Sequence, residues 1–148
     1  MALTGTFERN LDDKRRLAIP KRLREGFSNE EFNCLYIAPG TDGSLSLYDS
    51  KAFDRLAKRF AQSESNSIGN RNYLRLFYAR AEKSDLDSQG RIRIPDRLAD
   101  HAHITREVVL LGVHDHAEVW DRRRWQSFLE EHSPEFDQMA EHVFESAG

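Results

Sequence analysis

NLDDKRRLAIP, at residues 10–20, returns as DLDSQGRIRIP at residues 85–95, a shift of 75 positions. Eight positions keep their chemical character: Leu11 pairs with Leu86, Asp12 with Asp87, Arg16 with Arg91, Leu17 with Ile92, Ile19 with Ile94, Pro20 with Pro95, Arg22 with Arg97 and Leu23 with Leu98. Eight matches within fourteen positions indicate a duplicated unit. Because each copy carries a basic turn, the duplication favours a symmetric binding protein over an enzyme with one active site.

The repeat extends beyond this signature. LYIA at residues 35–38 matches VLLG at 109–112, and LSLYD at 45–49 matches AEVWD at 117–121. The second offset falls to 72 because the first copy has a longer connection at residues 39–44, which has the composition of a hairpin loop. Each copy is therefore predicted to form a strand, a tight turn, a strand, a short helix begun by Pro, two strands and a helix.

Apolar spacing predicts the longer helices. Ser50 is expected to cap the first of them. The apolar side of this helix is formed by Phe53, Leu56, Ala57, Phe60 and Ala61. The equivalent helix of the second copy has Trp125, Phe128, Leu129 and His132 at matching positions. A further helix, which joins the two copies, is indicated by Leu74, Phe77, Tyr78 and Ala81. A terminal helix is indicated by Phe136, Met139, Ala140 and Val143.

These elements predict an α+β fold in which strands and helices do not alternate as in a doubly wound sheet. A small mixed barrel whose two halves share one core fits better, because a half of about 70 residues would be marginal alone. The expected units are a first repeat at 5–62, a helical connector at 63–79, a second repeat at 80–132 and an acidic C-terminal helix or tail at 133–148. The polar stretch at 62–67 is the expected boundary.

Composition sets outer bounds on function. The chain has 148 residues, of which 39% are hydrophobic and 32% charged, and none of its apolar runs approaches a membrane span. The N-terminus lacks a basic region followed by an apolar run, so we expect no signal peptide. Cys34, the single cysteine, excludes an intramolecular disulfide and is expected in the core. A reducing cytoplasm is the simplest compartment.

The net charge of −3 conceals an asymmetry. Residues 126–148 hold six acidic residues and no Lys or Arg, so the other 125 residues carry a net +3. Of the 22 positive residues 17 are Arg, the side chain best suited to phosphates and base edges. We therefore expect a basic face that binds nucleic acid and an acidic tail that stays away from it.

Each repeated motif places an Asp at the start of a hairpin turn and an Arg just after it. The carboxylate of Asp12 or Asp87 can accept backbone N–H bonds from its own turn and can hold Arg16 or Arg91 in a charge-assisted pair. Gly90 supplies the positive φ that such a turn often requires. One interpretation is that both motifs are only structural turns; the other is that they present Arg to a DNA phosphate or a guanine edge. The second is favoured by the additional bases Arg9, Lys14, Arg15, Lys21, Arg22, Arg93 and Arg97.

The paired Asp-x-x-x-Arg motifs, together with the LSLYD and AEVWD pair, resemble those of the MraZ family over roughly residues 5–132. The resemblance implies a tandem, pseudo-symmetric pair of AbrB-like swapped-hairpin halves forming a β-barrel with flanking helices. It also implies ring-shaped oligomers and cytoplasmic DNA-binding regulators that occur with bacterial cell-division and cell-wall genes. One position departs from the family, because Arg15 stands where Gly90 stands in the second copy. A non-Gly residue in a left-handed turn costs about 1 kcal/mol, so either the turn differs or the added charge compensates.

Other polar clusters have two interpretations each. His101, His103, His114 and His116 could ligate a metal, but without a Cys pair or a His-Glu-x-x-His motif they are better read as solvated polar sequence. The run at 122–124, RRR, either contacts nucleic acid or faces a partner's acidic surface. The sequence shows no Gly-rich phosphate loop and no nucleophile–base pattern.

The sequence thus predicts a non-enzymatic, sequence-specific DNA-binding transcriptional regulator. Its expected targets are repeated boxes upstream of cell-division and cell-wall genes, including its own. The expected DNA-binding residues are Lys14, Arg15, Arg16, Arg91 and Arg93, and the turn-orienting residues are Asp12, Asp87 and Gly90. The expected partners are double-stranded DNA and further copies of the chain, arranged as a ring.

We expect no cofactor, metal, membrane or small-molecule substrate, and a cytoplasmic, nucleoid-associated location. The alternatives are a structural oligomeric scaffold, in which the Arg turns pair with acids such as Glu130 and Glu131 on neighbours, and an antitoxin-like protein of the AbrB class.

Overall fold

The computed structural model describes residues 2–27, 33–63 and 67–147. Its strands are β1 (Thr6–Asn10), β2 (Arg16–Ala18), β3 (Cys34–Pro39), β4 (Leu45–Tyr48), β5 (Glu82–Asp85), β6 (Arg91–Arg93), β7 (Glu107–Val113) and β8 (His116–Asp121). Its helices are α1 (Lys21–Gly26), α2 (Ser50–Gln62), α3 (Ile68–Arg80), α4 (Asp96–His101), α5 (Arg122–His132) and α6 (Phe136–Ala147), and a single 3-10 turn spans Ser133–Glu135. The predicted order of elements in each copy is confirmed. Residues 64–66 of the expected boundary lie outside the described residues.

The six-stranded sheet shows that the two copies exchange strands. Its order is β1-β7-β8-β4-β3-β5, and every pair is antiparallel. The strands β1, β2, β3 and β4 of the first copy are equivalent to β5, β6, β7 and β8 of the second. When each strand is replaced by its equivalent, the order of the sheet is the same, read from the other edge. The first strand of each copy therefore pairs with the third strand of the other, β1 with β7 and β5 with β3. Neither copy has a complete sheet without the other.

The same symmetry holds in the register. In the two-stranded sheet of β2 and β6, Leu17 lies opposite Ile92 at the centre. In the large sheet Ser46 lies opposite Glu118 at the centre of the β4–β8 pair. The pseudo-twofold symmetry between the copies therefore passes through these two central pairs. The mixed architecture predicted from the sequence is confirmed as an antiparallel sheet with helices.

The alignment that matched Leu35 with Val109 is wrong by one residue. Ile37 pairs with Leu47 in the first copy, and Leu110 pairs with Val119 in the second, so the equivalent of Leu35 is Val108. Side chains alternate along a strand, so a slip of one residue would exchange the two faces. The continuous apolar run of β7 carries no polar residue to mark its buried face, which is why the sequence did not reveal the shift.

The capping prediction at Ser50 is also wrong by one residue. Asp49 is the N-cap of α2, and its carboxylate accepts a bond from the backbone N of Ala52 at 2.8 Å. Asp121 caps α5 in the same way, accepting from the backbone N of Arg124 at 3.3 Å. The Asp that ends both the LSLYD and AEVWD segments therefore begins each helix, since a carboxylate satisfies backbone donors of the first turn.

The two copies share one hydrophobic core, as predicted. Its fully buried members come from both halves: Leu17, Leu23, Leu35, Ile37, Leu45 and Leu47 from the first, and Ile92, Ile94, Leu98, Val108, Leu110 and Val119 from the second. Cys34 is buried and carries a free thiol, also as predicted. Leu17 and Ile92, the central pair of the two-stranded sheet, belong to this core. The basic turns before β2 and β6 are therefore attached to strands with buried side chains.

Outside the sheet the helices pack unequally. Phe53 and Phe60 of α2 meet Phe77 and Tyr78 of α3 in an aromatic cluster, and α3 lies over β3. Trp125 of α5 stacks within a second cluster with Trp120 and Phe128, whereas α6 buries none of its residues. Within residues 2–27, 33–63 and 67–147, no helix has the length and apolar character needed to cross a membrane.

We expect Leu17→Ala to destabilise both halves at once. Leu17 is fully buried at the centre of the β2–β6 pair, and removing a core Leu side chain costs about 2–5 kcal/mol through lost burial and the cavity left behind. Urea unfolding at one fixed protein concentration measures the loss. Val113→Ala, at a 40% exposed position of the same fold, is the control and should change stability by about 0.5 kcal/mol or less. Equal effects of the two substitutions would contradict a shared core.

Candidate nucleic-acid interface

The first turn is organised by the carboxylate of Asp12. One oxygen, Oδ1, accepts bonds from the backbone N of Lys14 at 2.9 Å and of Arg16 at 2.8 Å. The other, Oδ2, accepts a bond from Nε of Arg16 at 2.6 Å. The same carboxylate therefore contacts both the backbone of the turn and the Arg side chain that follows it.

The second turn repeats this geometry contact for contact. Asp87 Oδ1 accepts from the backbone N of Gln89 and of Arg91, each at 2.9 Å, and Oδ2 accepts from Nε of Arg91 at 2.8 Å. A guanidinium has five N–H donors in a fixed plane. Because each Arg is held through Nε, donors on its terminal nitrogens remain for another acceptor while its orientation is already set.

Arg15 keeps the left-handed turn despite having a side chain. Its φ is +58°, against +74° at the equivalent Gly90, so the turn does not differ between the copies. The backbone carbonyl of Arg15 accepts a bond from the N of Ile94 at 2.9 Å, and that of Gly90 accepts one from the N of Ile19 at 3.0 Å. These reciprocal bonds between copies hold both turns, and Nε of Arg15 also pairs with Asp96 of the second copy at 3.2 Å.

Gly90 has a positive φ and also lies against a side chain of α1. The guanidinium of Arg24 lies against it, and a Cβ at Gly90 would come within 2.9 Å of Nη1. The sequence did not single out Arg24 or Asp96, since each is one more charged residue on a short helix. Only the packing of α1 and α4 beside the turns shows that both contact the candidate site.

Strand pairing brings the two turns together. Arg16 lies opposite Arg93, and Arg91 lies opposite Ala18 across the β2–β6 pair. Nη1 of Arg91 comes within 3.7 Å of Oδ2 of Asp12, which links the two copies directly. A surface pocket joins most of the predicted DNA-binding residues, being lined by Asp13, Lys14, Arg15, Arg16 and Arg93. One small, strongly basic surface thus contains residues from both copies.

The turn geometry lowers the pKa of both Asp side chains. The largest cause at Asp12 is the bond from the backbone N of Arg16, and at Asp87 it is the bond from the backbone N of Arg91. Desolvation opposes the effect, while the bonds from the Arg side chains add to it. Both carboxylates therefore stay ionised to a lower pH than an ordinary Asp, so they remain hydrogen-bond acceptors for the turn.

Other predicted candidates lie elsewhere. Arg122 pairs with Glu8 and Glu107, each at 3.7 Å, so it bridges β1 and β7 within the chain. Nε2 of His101 lies 3.2 Å from the carbonyl oxygen of Gly40, and Nδ1 of His116 lies 2.8 Å from a carboxylate oxygen of its neighbour Asp115. In the part of the chain that the structure describes, no three His, Cys, Asp or Glu side chains gather as metal ligands.

Comparison with known proteins gives a consistent result over nearly the whole chain. Residues 2–76 and 77–146 each match the model of the MraZ protein family, which is described as antitoxin-like. The chain is 36% identical to the transcriptional regulator MraZ of Pediococcus pentosaceus over 95% of this chain and 96% of that protein. It is 33% identical to the protein of that name from Lactobacillus helveticus, over 94% of each chain. For that of Mycoplasmoides gallisepticum the identity is 34%, over 93% of this chain and 94% of the relative.

We expect both turn carboxyls to titrate below the ordinary Asp pKa of about 3.9. A lowered folded-state pKa gives stability that is present above the unfolded pKa and is lost as the pH falls through the folded pKa. In Arg16→Ala the backbone bond, which is the largest cause, is kept, so the pKa of Asp12 should rise only part of the way. Carboxyl NMR titration measures this, with Asp87 as the internal control. A return of Asp12 to the ordinary value would show that the side chain, not the turn amide, sets its pKa.

Proposed function

The chain belongs to the MraZ family, whose relatives named above are transcriptional regulators, and from this premise we propose that it regulates transcription by binding double-stranded DNA through its two Arg turns. The observation that carries the proposal is the pair of identical Asp–Arg contacts, which orient Arg16 and Arg91 before any ligand arrives. An Arg that is already oriented loses less conformational entropy on binding. A transcriptional regulator is not an enzyme class, and we assign the turns no catalytic step.

The two kinds of base around the turns have different tasks in this proposal. Lys14 and Arg15, next to the first Arg, neutralise phosphates and set the position of the turn on the duplex. Arg16 and Arg91 present a planar fork of donors that matches O6 and N7 of guanine in the major groove. Arg93 adds positive charge opposite Arg16 across the strand pair. The proposed DNA-binding set is therefore Lys14, Arg15, Arg16, Arg91 and Arg93, with Asp12, Asp87 and Gly90 shaping the turns.

We also propose that the exchanged strands are an AbrB-like swapped-hairpin arrangement. The buried Leu17 and Ile92 of the two-stranded sheet face the same core as the large sheet, so the small sheet would close the structure as a pseudo-symmetric barrel. In functional terms the units are the repeats at 5–62 and 80–132, the connector at 63–79 and the acidic segment at 133–148.

A single chain offers few base contacts, so we propose that several copies act together as a ring. Many identical turns would then engage repeated DNA boxes, and linked sites bind more tightly than isolated ones. The proposed targets are boxes upstream of cell-division and cell-wall genes, including the protein's own gene, and the proposed location is the cytoplasmic nucleoid.

The scaffold alternative makes a different prediction about salt. If the Arg turns bound acidic residues of neighbouring copies, DNA affinity would be weak and assembly would depend on these Arg residues. A DNA-binding protein instead loses DNA affinity steeply as salt rises, since each neutralised phosphate releases counterions.

We expect Arg16→Ala to reduce specific DNA binding without unfolding the protein. The loss should be about 1–3 kcal/mol for each engaged turn, and larger in an assembly where every turn is altered. Gel shift on the DNA upstream of the protein's own gene measures the affinity, and unrelated DNA gives the non-specific reference. Arg16→Lys keeps the charge but not the planar fork, so it should bind unrelated DNA as the unaltered protein does and still lose specific binding.

Arg91→Ala is the matched variant, since the second turn has the same geometry. The first turn is the more basic, with Lys14, Arg15 and Arg16 against Gln89, Gly90 and Arg91, so Arg16→Ala should be the more harmful substitution. Melting temperature and particle mass control for folding and assembly. Full specific binding by a correctly assembled Arg16→Ala protein would refute the function proposed for this turn.

A further inference from the structure

Helix α2 carries a group of basic side chains that the Arg turns do not use. Its apolar residues Phe53 and Phe60 contact α3 in the aromatic cluster described above. Four exposed bases lie on the other side of the helix, where their spacing of four, three and one residues keeps them together. This basic stripe consists of Lys51, Arg55, Lys58 and Arg59.

The charge of the basic stripe is not neutralised by acidic side chains of the chain itself. On α4, by contrast, Arg97 pairs with Glu82 at 3.1 Å. Within residues 2–27, 33–63 and 67–147, no base of the stripe forms an ion pair, although Arg55 lines a surface cavity together with Asp115. Asp54 is the one acidic residue of α2, so the helix has a net charge of +3. The stripe is therefore available to an anion from outside the chain.

The fold does not itself require a basic side on this helix. α5 occupies the equivalent position in the second copy, and both helices begin after an equivalent Asp cap. At the positions equivalent to Lys58 and Arg59, α5 carries Glu130 and Glu131. The same place in the architecture thus tolerates the opposite charge. The basic stripe belongs to the sequence of the first copy alone, which favours a binding task specific to α2.

The basic stripe and the Arg turns lie on opposite faces of the six-stranded sheet. Leu35 of β3 belongs to the shared core, as does Leu17 of the two-stranded sheet that follows the first turn. The next residue of β3, Tyr36, points to the other face and stacks on Phe53 of α2, with ring centroids 4.3 Å apart. A straight duplex bound at the turns is therefore separated from the stripe by the sheet.

We propose that the basic stripe of α2 is a second DNA-binding surface, which holds the phosphates of another duplex segment without reading its sequence. At a rise of 1.5 Å per residue, the stripe is about 12 Å long. One strand of a duplex has a phosphate about every 3.4 Å along the axis, so about three phosphates match this length. Lys58 and Lys51 are point charges, which suit phosphates better than base edges. The inference rests on the DNA binding proposed above and adds a second surface for the same partner.

A membrane surface fits α2 less well than DNA does. A helix that lies on a membrane inserts its apolar side at the boundary of the lipid tails. The apolar side of α2 is already covered, because Phe53 stacks on Tyr36 and Phe60 packs against Phe77 with ring centroids 5.4 Å apart. Only the charged side remains for a ligand, and a duplex needs no more than that.

A protein without the Arg turns tests the basic stripe by itself. The full chain with Arg16→Ala and Arg91→Ala should still bind unrelated duplex DNA, because the stripe does not depend on the turns. Adding Lys58→Gln and Arg59→Gln should reduce the slope of log affinity against log salt concentration by about 1.8, since each lost phosphate contact removes about 0.9. Fluorescence anisotropy of a labelled duplex at several salt concentrations measures this slope.

Two controls separate the position of the charge from its amount. The exchange of Lys58→Arg with Arg59→Lys keeps the charge of the stripe, so it should keep the slope. Arg122→Gln with Arg123→Gln makes the same change in net charge on the equivalent helix α5, and it should also keep the slope. Circular dichroism melting and particle mass by light scattering should be the same for every variant.

Three results overturn the second surface: no binding of unrelated DNA by the protein without Arg turns, an unchanged slope after the loss of Lys58 and Arg59, or an equal reduction in the α5 control. A lower particle mass of the Lys58→Gln, Arg59→Gln protein also overturns it, because the stripe would then bind another copy of the chain. Full specific binding by the Arg16→Ala, Arg91→Ala protein refutes instead the function proposed for the turns, so the two failures are distinguishable.

Discussion

The exchange of first strands between the two copies is the constraint on which the rest of the structure depends. Among the described residues, β1 forms its strand pairing with β7, and β5 forms its own with β3. Since unpaired backbone N–H and C=O groups are costly to bury, neither copy can complete its sheet alone. The exchange commits both copies to one core, and it places the turn that follows each first strand beside its counterpart.

The Asp–Arg turns are consequences of that placement. The carbonyl oxygens of Arg15 and Gly90, the two left-handed residues, each accept a bond from the strand of the other copy. Each turn is therefore held by hydrogen bonds to its own Asp and by a backbone hydrogen bond from the other copy. This double restraint explains how Arg15 is tolerated where its equivalent is Gly, since bonds between the copies and the ion pair with Asp96 offset a strain of about 1 kcal/mol. The result is one basic surface whose turns are held by hydrogen bonds within and between the copies.

The symmetry between the two copies ends where the helices leave the sheet. α3 continues into β5, so it must lie close to the sheet, whereas no strand follows α6 within the described residues. Without that requirement, α6 leaves Phe136, Val143 and Phe144 exposed.

The sequence by itself determined the duplication, the order of elements, the burial of Cys34 and the pairing of Asp12 with Arg16 and Asp87 with Arg91. These features are local: a turn carboxylate, a period of apolar residues or a repeated motif acts over a few positions along the chain. Only the tertiary structure decided that the copies exchange strands, that Leu35 is equivalent to Val108, and that Arg24 and Asp96 lie beside the turns. Those outcomes depend on contacts between residues far apart in sequence. A strand that is apolar throughout does not show which of its faces is buried, and a single charged residue does not show which residue it will contact.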